Sequence, residues 1–159
     1  MEARIETIAA KKMLGNHLTM SLAADSTMQL WQSFMPKRKE ISNNIGSDLF
    51  SITVYHQPDF KNFNHDTTFE KWAAVEVSDF DDVPDGLEAY ELSAGLYAVF
   101  IYKGAANAFG DTLYNIITGW LPASGYALDN SRAHFFVMGE KYKGNDPASE
   151  EEVWIPVKK

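Results

Sequence analysis

A carboxylate and a tryptophan near the end of this 159-residue chain are spaced to hold a cation. Side chains alternate between the two faces of a strand, so Glu152 and Trp154 share one face while Val153, between them, belongs to a wholly apolar one. A carboxylate supplies the charge opposite to that of a cation, and a tryptophan ring attracts the cation by a cation–π contact. If Trp154 lines a groove, Glu152 therefore lines it as well. The alternative is that residues 150–152 are a solvated run of charge at the start of the strand.

The segment HFFVMGE, residues 134–140, is a second candidate because its two adjacent phenylalanines must point to opposite faces of a strand. Aromatic rings are dense on the predicted strands, where they are Tyr55, Trp72, Tyr97, Phe136 and Trp154. An ordinary aromatic core explains any single one of these rings as well as a binding site does.

The motifs of common nucleotide, metal and serine chemistry are absent from the sequence. No glycine-rich phosphate loop surrounds Gly15, Gly95 or Gly110, and no serine lies in a GxSxG elbow. The four histidines lack the HxxxH or HxH spacing of zinc ligands, and the chain contains no cysteine. We therefore expect no metal and no cofactor, and we identify no catalytic residue.

Charge and composition limit the partners that the chain can have. The 22 acidic and 14 basic residues give a net charge of -8, which repels a phosphate backbone and an anionic membrane. We expect neither direct nucleic-acid binding nor membrane binding, and a lipophilic or cationic small molecule is easier to accommodate. The longest apolar run, residues 95–102, is too short to span a bilayer, and Glu2 and Glu6 do not suit a signal peptide. These features predict a cytoplasmic protein.

The first half of the chain predicts one helix between strands. Residues 4–22 are typical of a strand that is bent or bulged at Gly15. A helix follows, with Asp25 or Ser26 as its N-cap and Pro36 near its end. Its apolar positions at helical spacing are Met28, Trp31, Phe34 and Met35. The alternating segments DLFSITVYHQP and KWAAVEV then predict two antiparallel strands.

The second half repeats this order, which indicates an internal duplication. A long strand pattern broken at Gly95 precedes an amphipathic helix, which we expect to stop at Pro122, and the strand patterns HFFVMGEKY and EEVWIPVKK. KWAAV parallels VWIPV, so the pseudo-repeats span about 1–80 and 86–159 of a single domain, 1–159. We predict an α+β fold in which duplicated β-α-β-β units form one mostly antiparallel curved sheet, with two helices packed on it and a groove between the halves.

The segments GLYAVFIYKG, GWLPASGY and HFFVMGEKYKGNDPASEEEVWIPVK resemble the effector-binding domain of gyrase-inhibitor-like proteins and of bacterial AraC- and MerR-type regulators. The resemblance covers nearly the whole chain and is most specific where an acidic residue, an aromatic residue and IPV recur together. It implies an aromatic-lined pocket for lipophilic and often cationic small molecules. A glutamate commonly occupies the position of Phe136 in that family. The resemblance therefore implies that Phe136 forms a pocket floor without the central acid, while Phe135 packs behind the sheet.

The resemblance and the aromatic pattern together indicate eight candidate ligand-binding residues. The charge in the pocket is assigned to Glu152, because Phe136 removes the acid that the family commonly has. The eight candidates are Phe136, Met138, Glu152, Trp154, Trp72, Tyr55, Phe109 and Tyr114.

The leading hypothesis is a stand-alone binding domain that senses or sequesters lipophilic compounds, including cationic ones. No DNA-binding helix pair precedes the first predicted strand, so we expect the domain to act alone or through an unidentified protein partner. One alternative is a hydrolase of cyclopropane-containing or similar strained lipophilic compounds, with Glu152 or Glu140 as general base. Phe136 makes this less favoured than binding. The other alternative is a protein-interaction module that resembles a gyrase inhibitor and engages a basic partner.

Overall fold

Nine strands and two helical regions make up residues 2–159, the part of the chain that the computed structural model describes. The strands are β1 (Ala3–Ile8), β2 (Lys11–Met20), β3 (Leu49–Tyr55), β4 (Phe69–Val77), β5 (Glu88–Leu92), β6 (Gly95–Lys103), β7 (Ala127–Leu128), β8 (His134–Met138) and β9 (Glu150–Lys158). The first helix, α1 (Thr27–Lys37), continues into a 3₁₀ turn (Arg38–Glu40). The second helical region consists of α2 (Phe109–Asn115), a π-helical turn (Ile116–Trp120) and α3 (Leu121–Ser124), after a 3₁₀ turn (Ala106–Ala108).

The strands form one antiparallel sheet whose order is symmetric about its centre. The order is β1-β6-β9-β8-β3-β4-β2-β5, and the short β7 pairs with β9. One half contributes β2, α1, β3 and β4, and the other contributes β6, the second helical region, β8 and β9. The two halves meet where β3 pairs with β8. The predicted α+β fold, with two helical regions on a mostly antiparallel sheet, is therefore confirmed.

Two pairs of consecutive strands, β1 with β2 and β5 with β6, bring the ends of this sheet together. β1 pairs with β6 as far as Ile8 and Gly95, and β2 pairs with β5 from Lys11 and Leu92 onward. Two residues separate β1 from β2, and two separate β5 from β6. An extended chain spans only roughly 10 Å over that distance. Strands at opposite ends of the order are thus neighbours in space, so the sheet must curve back on itself.

The face inside this curve, which we call the inner face, carries a core that both halves share. Tyr97 of β6 reaches Phe135 of β8 across β9, with ring centroids 5.3 Å apart. Phe135 also stacks on Trp154 at 5.2 Å. The buried members of this core are Met13, Phe50, Ile52, Trp72, Ala74, Leu92, Tyr97, Val99, Ala133, Phe135 and Trp154.

The opposite face, which we call the helix face, carries one core per half. Leu30 and Phe34 bury α1 against β2 and β4, because residues four apart lie on the same side of a helix. Met28 and Met35, which the pattern assigned to the same apolar stripe, are 71% and 39% exposed, so that assignment is wrong. The second helical region packs through Ile116 and Leu121 against β6 and β9.

Two predicted chain features differ in the structure for identifiable reasons. The register of β2 with β4 runs without interruption through Gly15, so the strand has no bulge there. The break in the first strand pattern lies instead between Ile8 and Lys11. Pro122 does not end the second helical region, which continues from the π-helical turn through α3 to Ser124. The helix ends at Gly125, whose φ of 82° is left-handed.

We predict that Gly15→Ala destabilises the fold, because β4 passes too close to accept a side chain at this position. A Cβ on Gly15 would lie 2.0 Å from the carbonyl oxygen of Ala73 and 2.8 Å from Cα of Ala74. The expected loss in free energy of unfolding is about 3 kcal/mol, measured by urea denaturation. The matched control is Gly110→Ala in α2, where no atom lies within 4 Å of the added Cβ. A gain of about 0.5 kcal/mol is expected for it; equal effects at both glycines would contradict the packing argument.

Candidate functional site

The centre of the helix face is the part of the sheet that lies between the two helical regions. α1 packs over β2 and β4, and the second helical region packs over β6 and β9, so β3 and β8 lie between them. The register places Thr53 of β3 between Lys71 of β4 and His134 of β8. We call this feature the central groove, and its floor consists of Ser51, Thr53, His134, Phe136 and Met138.

Phe136 lies on the α2 side of the central groove and belongs to an aromatic wall. Its ring meets that of Phe109 edge-on, with centroids 4.9 Å apart. Phe109 meets Tyr102 in the same way at 5.1 Å, and the Tyr102 hydroxyl donates a hydrogen bond to the carbonyl oxygen of Ala105 at 2.6 Å. Met138 lies on the same face of β8 and is nearly buried. Three of the candidates from the sequence therefore lie together.

Tyr55, a fourth candidate, lies at the end of β3 on the α1 side of the central groove. Its ring is in edge or tilted contact with Phe60, Phe63, Phe69 and His134, with centroids 4.9 to 5.9 Å away. Burial raises the pKa of Tyr55 to about 12, so its phenol stays neutral at physiological pH. The two sides of the groove are thus both aromatic.

Glu151 is the acidic residue of this groove, and the sequence pattern did not single it out. It shares the helix face of β9 with Val153, and it is 7% exposed. Within residues 2–159 its carboxylate makes no hydrogen bond and no ion pair, and its oxygens are not fully buried. Burial raises the pKa of Glu151 to about 7, and the positive charge of Lys71 acts in the opposite direction. Strand parity was the available signal, since Glu151 begins the face that otherwise reads as wholly apolar.

Lys71 places a positive charge in the same groove beneath the start of α1. Its ammonium donates to the hydroxyl of Thr27 at 3.4 Å, and that hydroxyl donates to Asp25 at 2.6 Å. Burial lowers the pKa of Lys71, while the charges of Asp25 and Glu151 raise it. No carboxylate of the described chain lies within ion-pair distance of this ammonium.

His134 has a structural role at the groove floor. Its Nε2 lies 2.6 Å from Oδ1 of Asn130, whose amide nitrogen donates to the carbonyl oxygen of Gln57. Burial lowers the pKa of His134 to about 3, so the imidazole is neutral and Nε2 carries the proton that it donates to Asn130. The side chain thereby ties β8 to the loop that follows β3.

Glu152 and Trp154 lie on the inner face, away from the central groove. Phe136 pairs with Val153, so the two lie on the same face of the sheet. Glu152 and Trp154 flank Val153 on β9 and therefore lie on the opposite face. The prediction that Phe136 and Glu152 line one pocket is therefore wrong. The cation that Glu152 and Trp154 hold is the chain's own Arg4, which reaches Glu152 at 3.0 Å and lies 5.7 Å from the centre of the Trp154 ring. The Trp154 indole also donates to Glu152 at 3.1 Å.

Trp72 and Tyr114 also lie outside the central groove. Trp72 is on the inner face, where the His17 ring stacks on it at 4.5 Å. Nδ1 of His17 lies 2.6 Å from the Glu88 carboxylate, at an angle that does not make the contact a hydrogen bond. Tyr114 points from α2 to solvent and is 68% exposed. Of the eight candidates, the groove thus brings together Phe136, Met138, Phe109 and Tyr55.

Comparison with known proteins assigns the family. A model of the GyrI-like small molecule binding domain matches residues 1–158. The chain belongs to this family. Its members are small-molecule-binding domains, and the family match covers both halves of the sheet and the central groove. No helix within residues 2–159 has the length and apolar content needed to cross a membrane.

Relatives of this GyrI-like domain include a transcriptional regulator and proteins of solved structure. It is 27% identical over 158 residues to the transcriptional regulator BrlR of Pseudomonas aeruginosa, covering 99% of this chain and 56% of BrlR. The chain thus spans little more than half the length of that relative. The structure of SAV2435 bound to tetraphenylphosphonium is 16% identical with a TM-score of 0.68, over 99% of this chain and 94% of that one. A hydrolase encoded by lin2189 from Listeria innocua is 12% identical with a TM-score of 0.63, over 99% and 92%.

We predict that Glu151→Gln stabilises the folded protein at neutral pH but not at acidic pH. The folded state holds the Glu151 proton up to about pH 7, whereas the unfolded chain releases it near its ordinary pKa of 4.5. The contribution of Glu151 to the free energy of unfolding is therefore greatest below pH 4.5, where the carboxyl is protonated in both states. It falls as the pH rises to about 7, where the folded protein also loses the proton. Across that pH range the free energy of unfolding of the variant should rise relative to wild type by about 2 kcal/mol. This value is reduced to account for solvent that reaches the carboxylate.

Urea denaturation at a series of pH values measures this difference, in which all other titrating groups cancel. Glu150→Gln, one residue earlier on β9, is the matched control and should not stabilise the protein at neutral pH. A difference between Glu151→Gln and wild type that does not change with pH would show that the carboxylate is solvated.

Proposed function

We propose that the central groove binds a lipophilic cation and that the Glu151 carboxylate is its counter-charge. The observation that carries the proposal is the carboxylate of Glu151, a residue that is 7% exposed and whose side chain has no hydrogen-bond or ion-pair partner within residues 2–159. A buried carboxylate without a partner pays a desolvation cost that a cation would offset. Phe136 and Phe109 add apolar surface beside it.

The aromatic wall determines the kind of cation that fits. A compact hydrated ion loses its water without gaining contacts from phenyl rings, whereas a cation with an apolar body buries that body against them. A desolvated cation over an aromatic face gains about 2 kcal/mol more. The family relation supports this ligand class, since SAV2435 has been seen with tetraphenylphosphonium. In this chain Glu151 on β9 supplies the acid that Phe136 removes from β8.

The consequence of binding would be sensing or sequestration of such compounds. BrlR is a transcriptional regulator, and this chain matches 56% of its length, which supports a sensing role that is coupled to another protein or domain. A stand-alone sequestering role remains the alternative within the same proposal. Neither role requires the groove itself to contact nucleic acid, whose phosphates the net charge of -8 repels.

We predict that Glu151→Gln weakens binding of tetraphenylphosphonium about tenfold or more, because it removes the charge and keeps the shape. Isothermal titration calorimetry at about pH 8, above the pKa of Glu151, measures the change. Glu152→Gln is the matched control. It alters an adjacent carboxylate on the inner face that Arg4 already neutralises, so its affinity should equal that of wild type.

The two variants separate the groove from the inner face. If Glu152→Gln weakens binding and Glu151→Gln does not, the ligand occupies the inner face and the proposal is wrong. If wild type shows no binding of tetraphenylphosphonium or of other lipophilic cations, the proposed ligand class is wrong as well.

A second candidate function is hydrolysis, because a carboxyl group with a pKa of about 7 is suited to act as a general base at neutral pH. The fold likeness to the hydrolase encoded by lin2189 is consistent with this candidate. The base would be Glu151, not Glu152 or Glu140. We predict that any turnover of a cyclopropane-containing ester rises with pH through about 7 and is lost in Glu151→Gln. The measurement is product formation by chromatography; turnover that survives in the variant excludes Glu151 as the base.

A further inference from the structure

The central groove contains two opposite charges that do not pair with each other. Glu151 enters it from β9 and Lys71 from β4, and β8 and β3 lie between them. Three strand spacings separate them across the sheet and the register offsets them by four residues along it, so the two backbones lie roughly 20 Å apart. The side chains approach closely enough for each charge to shift the pKa of the other, but they form no ion pair.

Lys71 has a hydrogen-bond partner but no ion-pair partner within residues 2–159. Thr27 accepts one of its three ammonium protons at 3.4 Å. Asp25 is engaged elsewhere, since its carboxylate accepts from the amide and the hydroxyl of Thr27 at 2.9 and 2.6 Å. Lys71 is half-buried, and its other two ammonium protons have no acceptor within residues 2–159.

A ligand with one charge would satisfy one end of the groove and disturb the other. A simple cation gains from Glu151 but is repelled by Lys71, and a simple anion has the opposite problem. In a partly desolvated groove each repulsion is stronger than in water. A molecule that carries both charges on one apolar body avoids both penalties.

We propose that the natural ligand class of the central groove is an amphoteric lipophile, which places a cationic group at Glu151, an acidic group at Lys71 and an aromatic body over β3 and β8. This inference rests on the proposed function and narrows it from lipophilic cations to molecules that also carry an acid. It assigns Lys71 as the residue that determines this specificity.

A matched pair of fluorescent dyes tests the proposal. Rhodamine B carries a cationic xanthene and a free carboxylate, and its ethyl ester has the same body without the acid. Binding is measured by fluorescence anisotropy at about pH 8, where Glu151 is ionised. The readout is the ratio of the two affinities, compared between wild type and Lys71→Met. This comparison cancels any difference in hydrophobicity between the dyes.

We predict that the preference for the acid over the ester falls about tenfold in Lys71→Met, since one charge-assisted contact is lost. The ester alone should bind the variant more tightly than wild type, because a repelling charge is gone. Lys158→Met, an exposed lysine at the end of β9, is the control and should leave the ratio unchanged.

The possible failures are distinguishable. A ratio that is equal in wild type and in folded Lys71→Met overturns the amphoteric assignment and leaves the cation site intact. If wild type prefers the ester to the acid, the assignment is also overturned, even where Lys71→Met does not fold. If neither dye nor tetraphenylphosphonium binds, the proposed function itself fails.

Discussion

The pairing of β3 with β8 is the constraint on which the rest of the structure depends. It joins the two halves of the chain, and its register puts Ile52 opposite Phe135 on the inner face and Ser51 opposite Phe136 on the helix face. Because side chains alternate along each strand, this one register decides which residues of both halves meet. A slip of one residue would exchange the shared aromatic core with the groove floor.

The two faces of the sheet differ in whether their charged side chains have ion-pair partners within the chain. On the inner face, Glu152 is hydrogen-bonded to Trp154 and paired with Arg4, so the chain itself completes the cation site there. On the helix face, Glu151 is buried and Lys71 is half-buried, and neither has an ion-pair partner in the described residues. A protein keeps such uncompensated charges at a cost to stability. That cost is understandable where a ligand supplies the missing partners.

The acid of the proposed site lies on a different strand from the one that the resemblance implies. Phe136 occupies the position where the resemblance implies a glutamate, and it packs against Phe109 instead of presenting a charge. Glu151 lies on the neighbouring strand and on the same face, two residues before the partner of Phe136. The groove therefore retains one carboxylate, and the aromatic surface around it is larger by one ring.

Local physical rules were enough to determine the elements and the fold class from the sequence. Alternation identified the strands, helical spacing placed Phe34 on the buried side of the first helix, and parity correctly separated Phe135 from Phe136 and grouped Glu152 with Trp154. These are properties of a strand or a helix by itself. The resemblance in the closing segment led to the family, which the match over residues 1–158 confirmed.

Only the tertiary structure decided which faces line the groove and which charges remain open. Parity says that Glu152 and Trp154 share a face, but it does not say that Arg4, almost 150 residues earlier, pairs with them. It also cannot say that Glu151 and Phe136 lie on the side that the helices flank. Both facts follow from strand pairing between distant segments, and such pairing is a property of the folded chain as a whole.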